Sequence, residues 1–290
     1  MKAVVSLIHG LEKFTDTGFK GVCVQKFLHG LLKIARPRAK RIDDNLKLVY
    51  PESDLKWRKN MRREIYKQLS WTVTEILALQ KNPEQAFDWI KKVENREIIE
   101  EFLNNKRGVI YLTGHFGNWE LLASWYAQIA KSRGHELSAV YQDTSDQDIG
   151  NYIQEMRAHN SVKSLSKNIS VSNFVRLLKN GAHVAILNDV SGNDKMIVPF
   201  LGVNATNMPG PAVLSLLSGA PIVPVALFRD KPFEHTLKIY EPVKIPDKTL
   251  NHEERVKKIV TDYNNALSKI IFSRPELWFW LHNRWKNVNL

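Results

Sequence analysis

The chain has 290 residues, of which 43% are hydrophobic, enough to bury a substantial core but long for one domain and short for two. Its net charge is +12, and residues 1–63 hold fifteen Lys and Arg against six Asp and Glu. A basic end of this kind favours phosphates, acidic proteins or anionic lipid as partners. The only cysteine is Cys23, which excludes an intramolecular disulfide and argues against a cysteine metal site.

Residues 3–34 predict two apolar-rich helices, separated at residues 15–18. Lysines interrupt both, so no uncharged run approaches the ~20 residues that span a bilayer. No signal-peptide pattern is present either. We predict an N-terminal amphipathic helical region over residues 1–40 that lies on a membrane surface, followed by one domain over residues 41–290. Ordinary helices packed on the domain are the alternative.

Strands and helices alternate through the rest of the chain. Helices are predicted over 57–81, 84–104, 119–132, 147–160, 170–180, 211–217 and 251–273, and strands over 109–113, 137–141, 162–165, 184–187, 222–228 and 236–240. The loop after residue 187 has about twenty residues, a length often associated with function. This order predicts an α/β fold with a mixed, mostly parallel sheet flanked by helices, whose ligands gather at the carboxyl ends of the strands.

The segment after the strand at 109–113 carries the chemistry. His115 leaves the end of the strand, and Glu120 falls in the first turn of the next helix. Gly117 permits a tight turn, and Asn118 is a suitable N-cap residue. We expect this turn to bring the carboxylate of Glu120 to the imidazole of His115, which leaves the other ring nitrogen free as a base. A structural histidine is the alternative interpretation.

Other chemistries lack their motifs. There is no Gly-x-Ser-x-Gly elbow, so the base is expected to act on a hydroxyl of the substrate. The His-x₄-Glu spacing differs from that of a zinc helix, and no metal site is predicted. Neither a dinucleotide-binding fingerprint nor a phosphate-binding P-loop is present.

Residues 114–120, Gly-His-Phe-Gly-Asn-Trp-Glu, resemble the signature block of the bacterial lipid A late acyltransferases, the lauroyl and myristoyl transferases. They also fit the wider glycerolipid acyltransferase superfamily with a His-x₄-Asp/Glu dyad. Further segments similar to family blocks lie, in chain order, at 41–52, Arg157, Asp189, 199–202, 220–225 and 280–286. The chain departs from the family at Val190, where many members have glutamine, and at Leu201, where many have phenylalanine. These departures leave the acyl chain length and the acceptor open.

The resemblance implies a glycerol-3-phosphate acyltransferase-like fold and transfer of a fatty acyl chain to a hydroxyl of a lipid A precursor. The implied donor is an acyl carrier protein thioester, with acyl-coenzyme A as the alternative, and no cofactor is expected. The expected partners are acyl carrier protein, an anionic glycolipid acceptor and the membrane surface. The implied location is the cytoplasmic face of the bacterial inner membrane, peripheral or monotopic. A glycerolipid or a phosphoinositide mannoside is the alternative acceptor.

The expected catalytic residues are His115, as general base, and Glu120. Those expected to bind substrate are Gly117, Asn118, Arg157, Asp189, Lys195 and Arg284. Backbone N–H groups at the helix start near Asn118 are candidate oxyanion donors. Arg157 suits a phosphate or the oxyanion, and Asp189 would orient Arg157 or the acceptor. Surface or capping roles are the alternatives.

The C-terminal segment interleaves basic and aromatic residues. Arg284 lies close to Trp278, Trp280 and Trp285, a mixture typical of a lipid–water boundary. A helix packed by its tryptophans explains the same pattern.

Two functions from other classes are compatible with parts of the sequence. A pI of about 9.6 is compatible with nucleic-acid binding, but the excess charge lies on an amphipathic region and no groove-reading motif is present. No nucleic-acid partner is therefore expected. A non-catalytic membrane scaffold would be expected to lose the dyad, yet both His115 and Glu120 are present.

Overall fold

The protein is described here from a computed structural model that covers residues 2–141, 146–192 and 196–286, without the side chains of residues 2–4. The helices are α1 Lys2–Phe14, α2 Phe19–Ala35, α3 Ala39–Val49, α4 Leu55–Leu79, α5 Gln85–Trp89, α6 Arg96–Asn104, α7 Trp119–Ser132, α8 Gln147–His159, α9 Val171–Lys179, α10 Gly210–Ser218 and α11 His252–Ser273. The strands are β1 Ile90–Glu94, β2 Val109–Thr113, β3 Leu137–Tyr141, β4 Lys163–Ser166, β5 His183–Leu187, β6 Ile197–Phe200, β7 Val203–Thr206, β8 Ile222–Lys231 and β9 Glu234–Ile239.

Seven strands form one sheet in the order β1-β9-β8-β2-β5-β3-β4. Strands β8, β2, β5, β3 and β4 run parallel to one another, while β9 is antiparallel to β8 and parallel to β1. The predicted mixed, mostly parallel sheet flanked by helices is thus confirmed. Strands β6 and β7 form a separate antiparallel pair.

The sheet separates two hydrophobic clusters because neighbouring side chains of a strand point to opposite faces. In β2, Ile110 and Leu112 pack with residues of α9, α10 and α11. Val109 and Tyr111 pack instead with residues of α5, α6 and α7. All five residues of β2 are buried, as expected for a central parallel strand.

Besides helix α3, for which the sequence predicted no element, two parts of the structure differ from the prediction. The single helix expected over 84–104 is wrong, because α5 and α6 flank the strand β1. Lys91 and Lys92 are exposed, so β1 resembles a polar helix in sequence, and it pairs with β9, far along the chain. The second difference is in the long loop after residue 187, which contains the β6–β7 hairpin.

The N-terminal region consists of two helices, as predicted. Helix α2 packs on α4, where Gln25 Nε2 donates a hydrogen bond of 2.9 Å to Ser70 Oγ. Among the described helices, none combines the length and apolarity needed to cross a bilayer. The boundary between residues 1–40 and residues 41–290 stays a prediction.

The buried face of β2 yields a stability prediction. Ile110→Ala removes a side chain that is 0% exposed in the central strand, so we expect the free energy of unfolding to fall by about 2–5 kcal/mol. Ile197→Ala is the control, because Ile197 is 49% exposed on β6, and its change should be within about 0.5 kcal/mol. Urea denaturation measures both, and equal losses in the two variants would contradict the assignment of β2 to the core.

Candidate active site

The site is built where β2 and β5 end side by side. The two strands are parallel, with Thr113 opposite Leu187, and Asn188 N–H extends the pairing by donating to Thr113 O at 3.0 Å. The residues that follow each strand therefore leave the sheet together. Gly114 permits this approach, since a Cβ at this position would lie 2.9 Å from Cγ of Asp189.

His115 is hydrogen-bonded to Asp189 through both its ring and its backbone. The ring Nδ1 lies 2.9 Å from Asp189 Oδ1, and the backbone N–H donates to Oδ2 at 2.8 Å. Trp278 Nε1 also donates to Oδ2, at 2.7 Å, so the carboxylate of Asp189 has three hydrogen bonds in all. The side chain of Asp189 is only 3% exposed, so these donors compensate for the removal of its charge from water.

The electrostatics of the pair define the tautomer. Burial raises the pKa of Asp189, but the charge of His115 and the hydrogen bonds of His115 and Trp278 outweigh it and lower this pKa to about 2. Burial lowers the pKa of His115, whereas the charge and hydrogen bond of Asp189 raise it, with a net rise above 6.5. An ionised Asp189 accepts from Nδ1–H, which leaves Nε2 of neutral His115 with a free lone pair. Among the residues that the structure describes, none is hydrogen-bonded to Nε2.

The predicted contact between Glu120 and His115 is corrected by this geometry. Glu120 accepts two hydrogen bonds from Arg157 of α8, from Nε at 3.0 Å and from Nη2 at 2.6 Å. The two side chains are 11% and 12% exposed. The guanidinium offers Glu120 two parallel N–H donors, a better match for a carboxylate than one ring nitrogen. Glu120 acts on His115 through its charge, which contributes to the raised pKa.

A cavity of about 720 Å³ opens at this edge of the sheet. His115, whose side chain is 31% exposed, and Arg157 lie on its wall. Lys167 adds a second cation, and apolar residues from β3, α9, β5 and α10 form much of the remainder: Val140, Phe174, Ile186 and Leu214. The cavity thus offers a base and two cations beside an apolar surface.

The C-terminal segment closes the turn that carries His115. Gly117 N–H donates to Leu277 O at 2.9 Å, and Phe279 N–H donates to His115 O at 3.0 Å. Between them, Phe116 and Trp278 form an isolated antiparallel bridge. The sequence pattern did not indicate Trp278 as a member of the site, although Trp278 lies two residues before the block at 280–286 that resembles the family.

The expected lipid–water boundary at this end is wrong. Trp278, Trp280 and Trp285 are 2%, 0% and 4% exposed and belong to one hydrophobic cluster. Arg284, predicted to bind substrate, is also 0% exposed. Its guanidinium donates to Thr206 O and to Asn207 Oδ1. Arg284 therefore attaches the C-terminal segment to the residues at the end of β7 and presents no surface to a substrate.

Of the remaining predicted site residues, Gly117 and Asn118 shape the turn and the start of α7. Gly117 has φ +61°, and a Cβ there would lie 1.9 Å from Leu227 O, so only glycine fits. Asn118 is 0% exposed and caps α7 by accepting from Leu121 N–H. Substrate binding by these two residues stays a prediction. Lys195 lies outside the described residues.

The pairing of His115 with Asp189 can be tested by titration. Asp189→Asn removes the negative charge but keeps the burial, so we expect the pKa of His115 to fall from above 6.5 to below 6.5. The pKa of His115 is measured from the NMR chemical shift of its imidazole Cε1–H as a function of pH. Glu120→Gln is the matched control, with a smaller decrease expected. A larger decrease in Glu120→Gln than in Asp189→Asn would favour the His115–Glu120 pairing instead.

Comparison with known proteins gives the family. The sequence model of the bacterial lipid A biosynthesis acyltransferases matches residues 22–287. A lipid A biosynthesis lauroyltransferase of Escherichia coli K12 is 25% identical over 258 residues, which cover 88% of this chain and 81% of that protein. A lipid A biosynthesis palmitoleoyltransferase of the same strain is 24% identical over 260 residues, 87% of this chain and 81% of that protein. The chain therefore belongs to the bacterial lipid A biosynthesis acyltransferase family and is an acyltransferase.

Proposed function

We propose that the protein transfers a fatty acyl chain from an acyl carrier protein thioester to a hydroxyl of a lipid A precursor. The observation that carries this proposal is His115, whose Nδ1 is hydrogen-bonded to Asp189 and whose ring lies on the wall of a cavity of about 720 Å³. The relatives named as lipid A lauroyl- and palmitoleoyltransferases support the same reaction.

In this reaction His115 is the general base. Nε2 of the neutral ring takes the proton of the acceptor hydroxyl while its oxygen attacks the thioester carbonyl carbon. The new C–O bond forms, the C–S bond breaks, and the proton passes from Nε2 to the departing thiolate. Asp189 orients the ring and stabilises the transient imidazolium. Base assistance of this kind contributes roughly 10²–10⁴-fold to the rate.

The Glu120–Arg157 pair places a guanidinium group beside the base. Glu120 holds the guanidinium of Arg157 by two hydrogen bonds, and Arg157 faces the same cavity as His115. In the proposed mechanism Arg157 stabilises the oxyanion of the tetrahedral intermediate or a phosphate of the acceptor. Glu120 is then a positioning residue for Arg157, and no covalent acyl-enzyme is needed.

The substrates and the partner follow from charge. Arg157 and Lys167 in the cavity suit an anionic glycolipid acceptor. The net charge of +12 suits an acidic protein, such as acyl carrier protein, as the carrier of the acyl chain. Acyl-coenzyme A offers the same thioester and is the alternative donor.

The proposed place of action is a membrane surface, reached through the N-terminal helices. The exposed apolar side chains of α1 and α2 are Leu7, Phe14, Phe19, Phe27, Leu31 and Ile34. Lysines lie among them, a combination that suits anionic lipid. Helix α1 is joined to α8 by Tyr152 Oη, which donates to Glu12 Oε1 at 2.6 Å. Since α8 lines the cavity, a membrane bound to α1 and α2 would lie next to the site.

The reaction is tested by incubation with a Kdo-bearing lipid A precursor and a panel of acyl carrier protein and coenzyme A thioesters. We expect the lipid to gain one acyl chain by mass spectrometry, and His115→Ala to reduce the rate by about 10²–10⁴-fold. His252→Ala is the control, because His252 is an exposed histidine at the start of α11.

Three results would change the proposal. Acylation of glycerolipids or phosphoinositide mannosides but not of the lipid A precursor would replace the acceptor. Absence of any acyl gain, where a characterised family enzyme works, would refute the reaction. A gain that survives His115→Ala would keep the reaction and refute the base.

Membrane binding has its own test. Phe19 and Ile34 are 82% and 83% exposed on α2, so we expect F19D and I34D together to abolish cosedimentation with vesicles that contain anionic lipid. I245D is the control, because Ile245 is 47% exposed in the segment after β9. Wild-type binding should weaken with added salt, since salt screens the attraction between lysines and lipid phosphates. Equal binding by the α2 variant and the control would refute this surface.

A further inference from the structure

A buried ion pair lies against the turn that carries His115 and does not form part of the cavity wall. Glu75 of α4 and Arg229 of β8 have side chains 0% and 3% exposed. Arg229 donates to both carboxylate oxygens of Glu75, from Nε at 2.8 Å and from Nη2 at 2.7 Å. Neither residue lines the cavity of the site. The proposed chemistry therefore gives them no direct role.

The ion pair is connected to the turn at two points. Asn118 Nδ2 donates to Glu75 Oε2 at 3.0 Å. Thr72 Oγ1 donates to Gly117 O at 3.0 Å and accepts from Arg229 Nη2 at 2.8 Å. These contacts hold the two central residues of the turn, which runs from His115 to Glu120.

The charge state of the pair is well defined. Burial raises the pKa of Glu75, but the charges of Arg229 and His235 and the two hydrogen bonds of Arg229 lower it far below its ordinary value. Glu75 is thus ionised and accepts hydrogen bonds only. The orientation of the Asn118 amide follows, because its NH₂ group must face Glu75 while its oxygen caps α7.

An ion pair of this kind is a costly way to stabilise a fold. Removal of two charges from water offsets much of their attraction, and apolar pairs of similar volume are often as stable. A role in positioning the catalytic groups explains the presence of this ion pair better, since a small displacement of a catalytic group strongly reduces the rate.

We propose that Glu75 and Arg229 are positioning residues for acyl transfer, which act through Asn118 and Thr72 to fix the turn between His115 and Glu120. This inference rests on the proposed role of His115 as the base. The ion pair holds the turn, so that the ring of His115 meets Asp189 on one side and Glu120 meets Arg157 on the other.

Two variants separate positioning from folding. Asn118→Ser keeps an N-cap oxygen but loses the amide that binds Glu75. The double variant Glu75→Leu/Arg229→Met replaces the ion pair by apolar side chains. It also removes the partners of Gln68 and of the Phe233 N–H, so Asn118→Ser is the milder of the two tests. The matched control is Asp43→Leu/Arg62→Met, because this ion pair joins α3 to the same helix α4 but contacts no residue of the turn.

The readouts are kcat and KM for the acceptor, thermal stability and the NMR titration of His115. We expect kcat to fall by about 10- to 100-fold in the two test variants, with KM changed much less and with thermal stability close to that of the control. The pKa of His115 should move down towards 6.5 as its contact with Asp189 loosens. The control should keep the kcat and the pKa of the wild type.

The outcomes distinguish this inference from the proposed function. Folded test variants with wild-type kcat and an unchanged pKa of His115 would refute positioning. Absence of acyl transfer in the wild type, together with a shifted pKa in both test variants, would refute the reaction but support positioning of the turn. Equal losses of kcat in test and control variants would show a general effect of charge removal from α4 and would also refute positioning.

Discussion

The parallel pairing of β2 with β5 is the constraint on which the site depends. It places Thr113 opposite Leu187, and neighbouring strands lie about 4.8 Å apart. His115 and Asp189, each two residues further along, therefore meet at hydrogen-bonding distance. A shift of the register by one residue would turn the side chains of β5 to the opposite face. The two hydrophobic clusters that divide the side chains of β2 thus also protect the contact between base and carboxylate.

The second requirement is a buried carboxylate that stays ionised. Asp189 meets it with donors from two distant segments, the ring and backbone of His115 and the indole of Trp278. The C-terminal segment is consequently part of the site, and its backbone also pairs with the turn at Gly117. The buried tryptophans there are explained by this packing. The tryptophans and Arg284, whose mixture predicted a lipid–water boundary, are buried and hold the segment against the rest of the fold.

The two sides of the catalytic turn have different environments. On one side, the ion pair of Glu75 and Arg229 is fully enclosed. On the other, the open cavity carries Arg157 and leads to α8, which contacts the apolar and basic helix α1. In the proposed reaction the enclosed side keeps the base in place, while the open side admits a lipid substrate from the membrane surface. Separate parts of the fold thus position the base and give the lipid substrate access to it.

The sequence by itself determined the α/β class, the strand β2, the helix α7 and the glycine-rich turn with His115, because hydrophobic periodicity, glycines and capping residues act locally. It did not reveal β1, whose partner β9 lies far along the chain. Nor did it reveal that His115 binds Asp189, 74 residues away, while Glu120 binds Arg157, 37 residues away. Only the tertiary structure decided which charges meet, because strand order and helix packing bring together side chains that spacing in the sequence cannot place.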